Sequence, residues 1–139
     1  MKNFVFRNST IEPLFKSEEA QFSGYDDISQ INLDCDIFTW FYIIQNQIDS
    51  KVLKDHTDFY FQNIEMVYNQ IPETKFFFLF TLFDPYRSKI QTGDFSVLNA
   101  INEFNYKIIE FSKSKSNVKV IDIADFISEN SDINIIDWK

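Results

Sequence analysis

The residues best suited to chemistry lie where apolar runs give way to turns. Phe4-Val5-Phe6 runs into Arg7-Asn8-Ser9-Thr10, a turn that puts a hydroxyl where a nucleophile or an anion site at a helix N-terminus can form. Ser9 or Thr10 would equally cap a helix opening near Ile11-Glu12. Gly24, one of only two glycines, sits in Ser23-Gly24-Tyr25-Asp26, where either close backbone approach to a ligand or a plain turn explains it. Asn46, in Gln45-Asn46-Gln47, follows a long apolar run; its amide is a candidate donor to an oxyanion and also an ordinary residue at a strand exit. Arg87 closes Asp84-Pro85-Tyr86-Arg87 and is a candidate clamp for a carboxylate or phosphate, although Asp-Pro is also a common turn opening. His56 is the single histidine, so any serine–histidine mechanism uses it or none. Its setting, Lys54-Asp55-His56-Thr57, reads as a surface loop just ahead of a helix. With Cys35 the single cysteine beside that one histidine, no zinc site is expected, and no P-loop or glycine-rich dinucleotide motif points to a cofactor.

The elements that must position these residues follow from hydrophobic periodicity. Residues 36–44 (DIFTWFYII) and 75–83 (KFFFLFTLF) are near-continuous apolar runs, as parallel strands covered on both faces require. Phe4-Val5-Phe6 and 118–123 (VKVIDI) read as two more strands, and 28–33 as a shorter one with imperfect alternation. Phe61, Ile64, Val67, Tyr68 and Ile71 fall on one stripe of a helix over 57–71 that Pro72 stops. Val97, Leu98, Ile101, Phe104, Ile108 and Phe111 mark a second helix, preceded by Gly93-Asp94 and with Ser96 near its cap. A third is expected over 12–21, with Pro13 in its first turn. Strands alternating with helices predict a three-layer α/β domain: a parallel sheet of about five strands, right-handed crossovers and helices on both faces. Functional groups in such folds gather at the carboxyl ends of the strands.

Composition narrows the function classes. A net charge of −8, with no basic stretch longer than Lys113-Ser114-Lys115, argues against nucleic-acid binding. The eight-residue apolar stretches 37–44 and 76–83 are far short of the roughly 20 residues that span a bilayer. No secretory signal opens the chain and a lone cysteine suits a reducing compartment, so the expected location is cytoplasmic. A length of 139 residues fits one domain over 1–139, and 17 phenylalanines fill its core with rings.

A Ser-bearing turn after the first strand, a Gly loop and an Asn after a later strand resemble the layout of SGNH (GDSL-type) hydrolases, with Ser9, Gly24 and Asn46 in the first three blocks. The fourth block, Asp-x-x-His, has no counterpart: residues 131–139 hold Asp132 and Asp137 but no histidine, and Arg7-Asn8-Ser9 replaces the usual Gly-Asp-Ser. The opening FVFRNSTIEPLF, the following FSGYDDISQ, Asp36 with IFTWFYII, and the closing Asp137-Trp138-Lys139 are similar to the N-terminal domain of FkbH-like proteins. That resemblance implies a flavodoxin-like (SGNH-type) domain, the N-terminal part of a longer two-domain protein. It also implies a following HAD-superfamily domain that loads a glyceryl-type acyl unit onto a carrier protein, in polyketide or surface-glycan pathways. The expected partners are therefore a HAD domain or an acyl-carrier protein, with a small-molecule or acyl substrate. The alternative is a small esterase or acyltransferase with Ser9 as nucleophile and Asn8, Gly24, Asn46 and Arg87 binding substrate or oxyanion. A third reading is a docking module using exposed aromatics such as Tyr86 and Trp138.

Overall fold

A computed structural model describes residues 1–15, 19–44, 49–83 and 95–129. Their elements run β1 (Lys2–Arg7), a single 3-10 turn (Glu12–Phe15), β2 (Glu19–Tyr25), β3 (Ile37–Phe41), α1 (Ser50–Tyr68), β4 (Phe76–Phe80), α2 (Ser96–Lys113), β5 (Val118–Ile121) and α3 (Ile123–Glu129). The five strands form one sheet in the order β2-β1-β3-β4-β5, and every neighbouring pair is parallel. This is the flavodoxin-like order, in which the chain reverses its direction of growth between β1 and β3.

Alternation along the strands sends side chains to opposite faces and so builds two cores. Phe4, Phe6, Phe38, Trp40, Phe77 and Leu79 pack with Leu53, Ile64 and Val67 of α1 and with Ile101, Phe104 and Ile108 of α2. Val5, Phe41 and Phe80 face the other way, onto Ile11, Leu14 and Phe15 of the 3-10 segment and Ile123 and Phe126 of α3. The three-layer arrangement read from the sequence is therefore present.

Four sequence expectations are corrected. The helix expected over 12–21 is replaced by a single 3-10 turn at Glu12–Phe15 and a strand, Glu19–Tyr25, that pairs in parallel with β1 from Lys2↔Glu19 to Arg7↔Tyr25. Pairing with an open strand edge, while Ala20 and Phe22 pack on the second core, outweighs a weak local helix preference. The strand expected over 28–33 is a turn segment. Asp27 accepts hydrogen bonds from Ser29 N (2.8 Å) and Ser29 Oγ (2.6 Å), and Asn32 Oδ1 accepts from Asp34 N at 3.0 Å. Such local side-chain bonds compete with a strand ladder. α1 begins at Ser50, not at Thr57, because Asp49 Oδ1 caps it by accepting from Lys51 N and Val52 N, both at 3.0 Å. His56 is consequently a helix residue rather than a loop residue. Finally, β5 ends at Ile121 and α3 starts at Ile123, where the sequence reading extended one strand to 123.

Candidate functional site at the carboxyl ends of β1, β2 and β3

β1 ends in Arg7, and each residue after it has a distinct fate. The Arg7 side chain is fully engaged: its Nε donates to the Ser23 carbonyl at 2.8 Å, and its guanidinium pairs with Glu12. The guanidinium carbon also lies 5.1 Å from the Phe22 ring centre and 4.8 Å from that of Tyr25. Ser23 accepts from Arg7 N at 3.2 Å and donates to the Gly24 carbonyl at 2.8 Å, so its hydroxyl is structural.

Asn8 is buried and bridges β1 to the chain beyond β3. Its Nδ2 donates to the Ile43 carbonyl at 2.7 Å and its Oδ1 accepts from Ile43 N at 3.0 Å, reproducing with a side chain the pair of bonds a ladder would make. The amide of Asn8 also hydrogen-bonds the Tyr60 hydroxyl of α1.

Ser9, next in the chain, is equally buried, yet its Oγ has no hydrogen-bond partner. Three other buried polar atoms are unpartnered among the described residues: Glu12 Oε2, Trp40 Nε1 and Tyr42 Oη. All four belong to the segments that leave β1 or to the carboxyl half of β3 and its extension. Buried polar atoms are satisfied almost everywhere in folded proteins, so these four, around the carboxyl ends of β1 and β3, stand out as groups open to a further partner.

An open groove of about 250 Å³ at the end of β2 is lined by Asp26, His56, Phe59 and Tyr60. Asp26 follows β2 with φ 56°, the one positive φ of a non-glycine residue among those described. Its N–H donates to the Arg7 carbonyl at 3.0 Å, which holds that conformation. Aspartate tolerates the left-handed region better than most residues, because its short side chain bonds locally. Partial burial raises the Asp26 carboxyl above its ordinary value, with the nearby His56 charge acting the other way. His56 and Tyr60 are one turn apart on α1, with ring centres 6.3 Å apart. Tyr42 stacks on Trp40 at 4.1 Å and meets Tyr60 edge-on at 4.8 Å. Burial first, and then the charge of Asp26, push the Tyr42 hydroxyl well above the usual tyrosine range. Burial likewise raises Tyr60.

The structure thus brings Asn8, Ser9 and the end of β2 to one edge of the sheet, together with His56 of α1. Gly24 lies within β2; a Cβ there would meet Asp27 at 3.5 Å, an ordinary contact, so no steric demand for glycine exists at this position. Asn46, Tyr86, Arg87 and Trp138 lie outside the described residues, as do Asp84-Pro85 and Gly93-Asp94. Sequence reading missed Asp26, Tyr42 and Tyr60, and set His56 aside. The i, i+4 spacing of His56 and Tyr60 was the available signal, hidden by placing the helix start seven residues too late. Among the described residues no three His, Cys, Asp or Glu side chains gather to hold a metal ion, and no helix is long and apolar enough to cross a membrane.

Among solved structures, the N-terminal part of the protein BF1531 from Bacteroides fragilis, containing a phosphatase domain and complexed with Mg, has the same fold. The two align with a TM-score of 0.67 and 10% identity over 94% of this chain. The present chain spans 42% of that structure's length, and at such identity the likeness concerns the fold. No protein-family model matches the sequence, and a search of curated proteins finds no significant relative.

Proposed function

We propose that the chain is an accessory SGNH-like domain of an FkbH-like protein, working beside a HAD-type domain in the loading or transfer of a glyceryl-type acyl unit on a carrier protein, in polyketide or surface-glycan biosynthesis. The observation that carries this reading is the alignment of 94% of the chain with the N-terminal part of a protein that also contains a phosphatase domain. That arrangement is the one the resemblance of FVFRNSTIEPLF and IFTWFYII implies. The strand-end geometry supports an accessory rather than a self-sufficient catalytic role. Ser9 Oγ is buried and bonded to no base, whereas an activated serine needs one within hydrogen-bond reach. Adding the chain to a HAD-type domain and a holo acyl carrier should speed acyl loading, read as the mass gain of the carrier. A loading rate unchanged by the chain would remove this role.

A second reading, a small esterase or acyltransferase, draws on one observation: the free Ser9 hydroxyl lies at the same sheet edge as His56 and Asp26. Substrate-induced approach of His56 to Ser9 would supply the missing base, with Asn8, Gly24, Asn46 and Arg87 as the proposed substrate and oxyanion contacts. Hydrolysis of p-nitrophenyl acetate by the wild type but not by Ser9→Ala would support it. Equal rates would exclude Ser9 as nucleophile.

A further inference from the structure

The groove between the end of β2 and α1 has a chemistry of its own, independent of the acyl-transfer reading. Its aromatic walls are Phe59, 53% exposed at the rim, and Tyr60. Asp26 supplies a carboxylate at one end, with Asp27 adjacent in sequence. No lysine or arginine lines it among the described residues, and the nearest strand-end cation, Arg7, is committed to Glu12 and the Ser23 carbonyl. The Tyr42 hydroxyl, on a residue only 2% exposed, has no hydrogen-bond partner and lies close enough to Asp26 and Tyr60 to feel both.

A carboxylate beside two aromatic rings and a histidine, with no lysine or arginine in the lining, is a set of groups that recognises an organic ammonium ion. Ring faces attract a cation through their quadrupole, and the carboxylate neutralises it. The −8 net charge raises the local concentration of cations and disfavours anionic ligands. We propose that the Asp26–Phe59–Tyr60 groove, with Tyr42 behind it, binds a small primary or quaternary ammonium group. A bare metal ion fits less well, because only one of the four lining side chains is a carboxylate and two are aromatic rings.

The test uses the whole chain, isotopically labelled, and three probes of similar size: choline, its neutral isostere 3,3-dimethylbutan-1-ol, and butyrate. Choline should shift the amide resonances of Asp26, His56, Phe59 and Tyr60 with millimolar affinity, and the alcohol and butyrate should bind about tenfold more weakly or not at all. Asp26→Asn, which keeps a residue tolerant of φ 56°, should lower choline affinity about tenfold or more. Phe59→Ala, at an exposed rim position, should lower it about threefold. Equal binding of choline and the alcohol, an Asp26→Asn affinity equal to wild type, or the same shifts with magnesium chloride alone would each overturn the proposal. So would the absence of any choline-induced shift.

Discussion

Two regions meet at the carboxyl edge of the sheet, and they treat polar groups in opposite ways. The joint around Asn8 and Arg7 is densely bonded, Glu12 Oε2 being its one unpartnered atom. Asn8 closes two backbone bonds to Ile43, Arg7 holds the Ser23 carbonyl and Glu12, and Ser23 bonds Arg7 N and the Gly24 carbonyl. The groove region beside it holds Asp26, a left-handed residue whose carboxyl is raised by burial, and the Tyr42 and Ser9 hydroxyls at the same sheet edge are unpartnered. The difference separates polar residues that hold the fold from polar residues available to a ligand. A satisfied buried group stabilises modestly and is expensive to disturb, whereas an unsatisfied one already carries a desolvation cost that a ligand can relieve.

The comparison can be broken most decisively at Asn8. Asn8→Ala leaves the buried N–H and carbonyl of Ile43 without partners, and a loss of about 2–4 kcal/mol is expected in urea unfolding. A loss below about 0.5 kcal/mol would show that the joint is not what ties β1 to the β3 extension.

Ser9→Ala should behave in the opposite sense. Its hydroxyl is buried with no partner, so removing it should leave stability unchanged or raise it by about 1 kcal/mol. A clear destabilisation would mean that the hydroxyl is satisfied in solution and belongs with the Asn8 joint.

Asp26→Asn gives the smallest effect and the most specific one. Burial raises the folded carboxyl above its unfolded value of 3.8, so between the two values the folded chain holds a proton that the unfolded chain has released. Stability therefore falls as pH rises through that window, and the cost stands in full above it. The variant should melt slightly higher than wild type at pH 7, by less than about 1 kcal/mol because solvent screens a side chain this exposed. The advantage should vanish below the unfolded value. A gain that persists undiminished in acid would place its cause in the backbone rather than in the charge.

Much of this was legible in the sequence. The runs IFTWF and FFFLF declare themselves as buried parallel strands because both faces are apolar, and the stripe from Val97 to Phe111 fixes α2. The strand-end rule directed attention to Arg7-Asn8-Ser9-Thr10, where the structure does concentrate unusual polar groups. What was not legible depended on partners distant in sequence. EAQFSGY has no strong strand pattern of its own and becomes β2 through pairing with β1. Nothing local distinguishes Asn8 from Ser9, yet Ile43, 35 residues away, satisfies one and leaves the other free.

By itself, then, the sequence determined the layered α/β class and the apolar interior strands β3 and β4. Those follow from apolar periodicity and chain connectivity, which are local properties. Only the tertiary structure decided which polar residues are spent on the fold and which line the groove, and that Asp26, just after β2, meets His56 and Tyr60 of α1. Hydrogen-bond satisfaction, burial and the mutual approach of charges are set by packing between elements, and no stretch of sequence contains both partners.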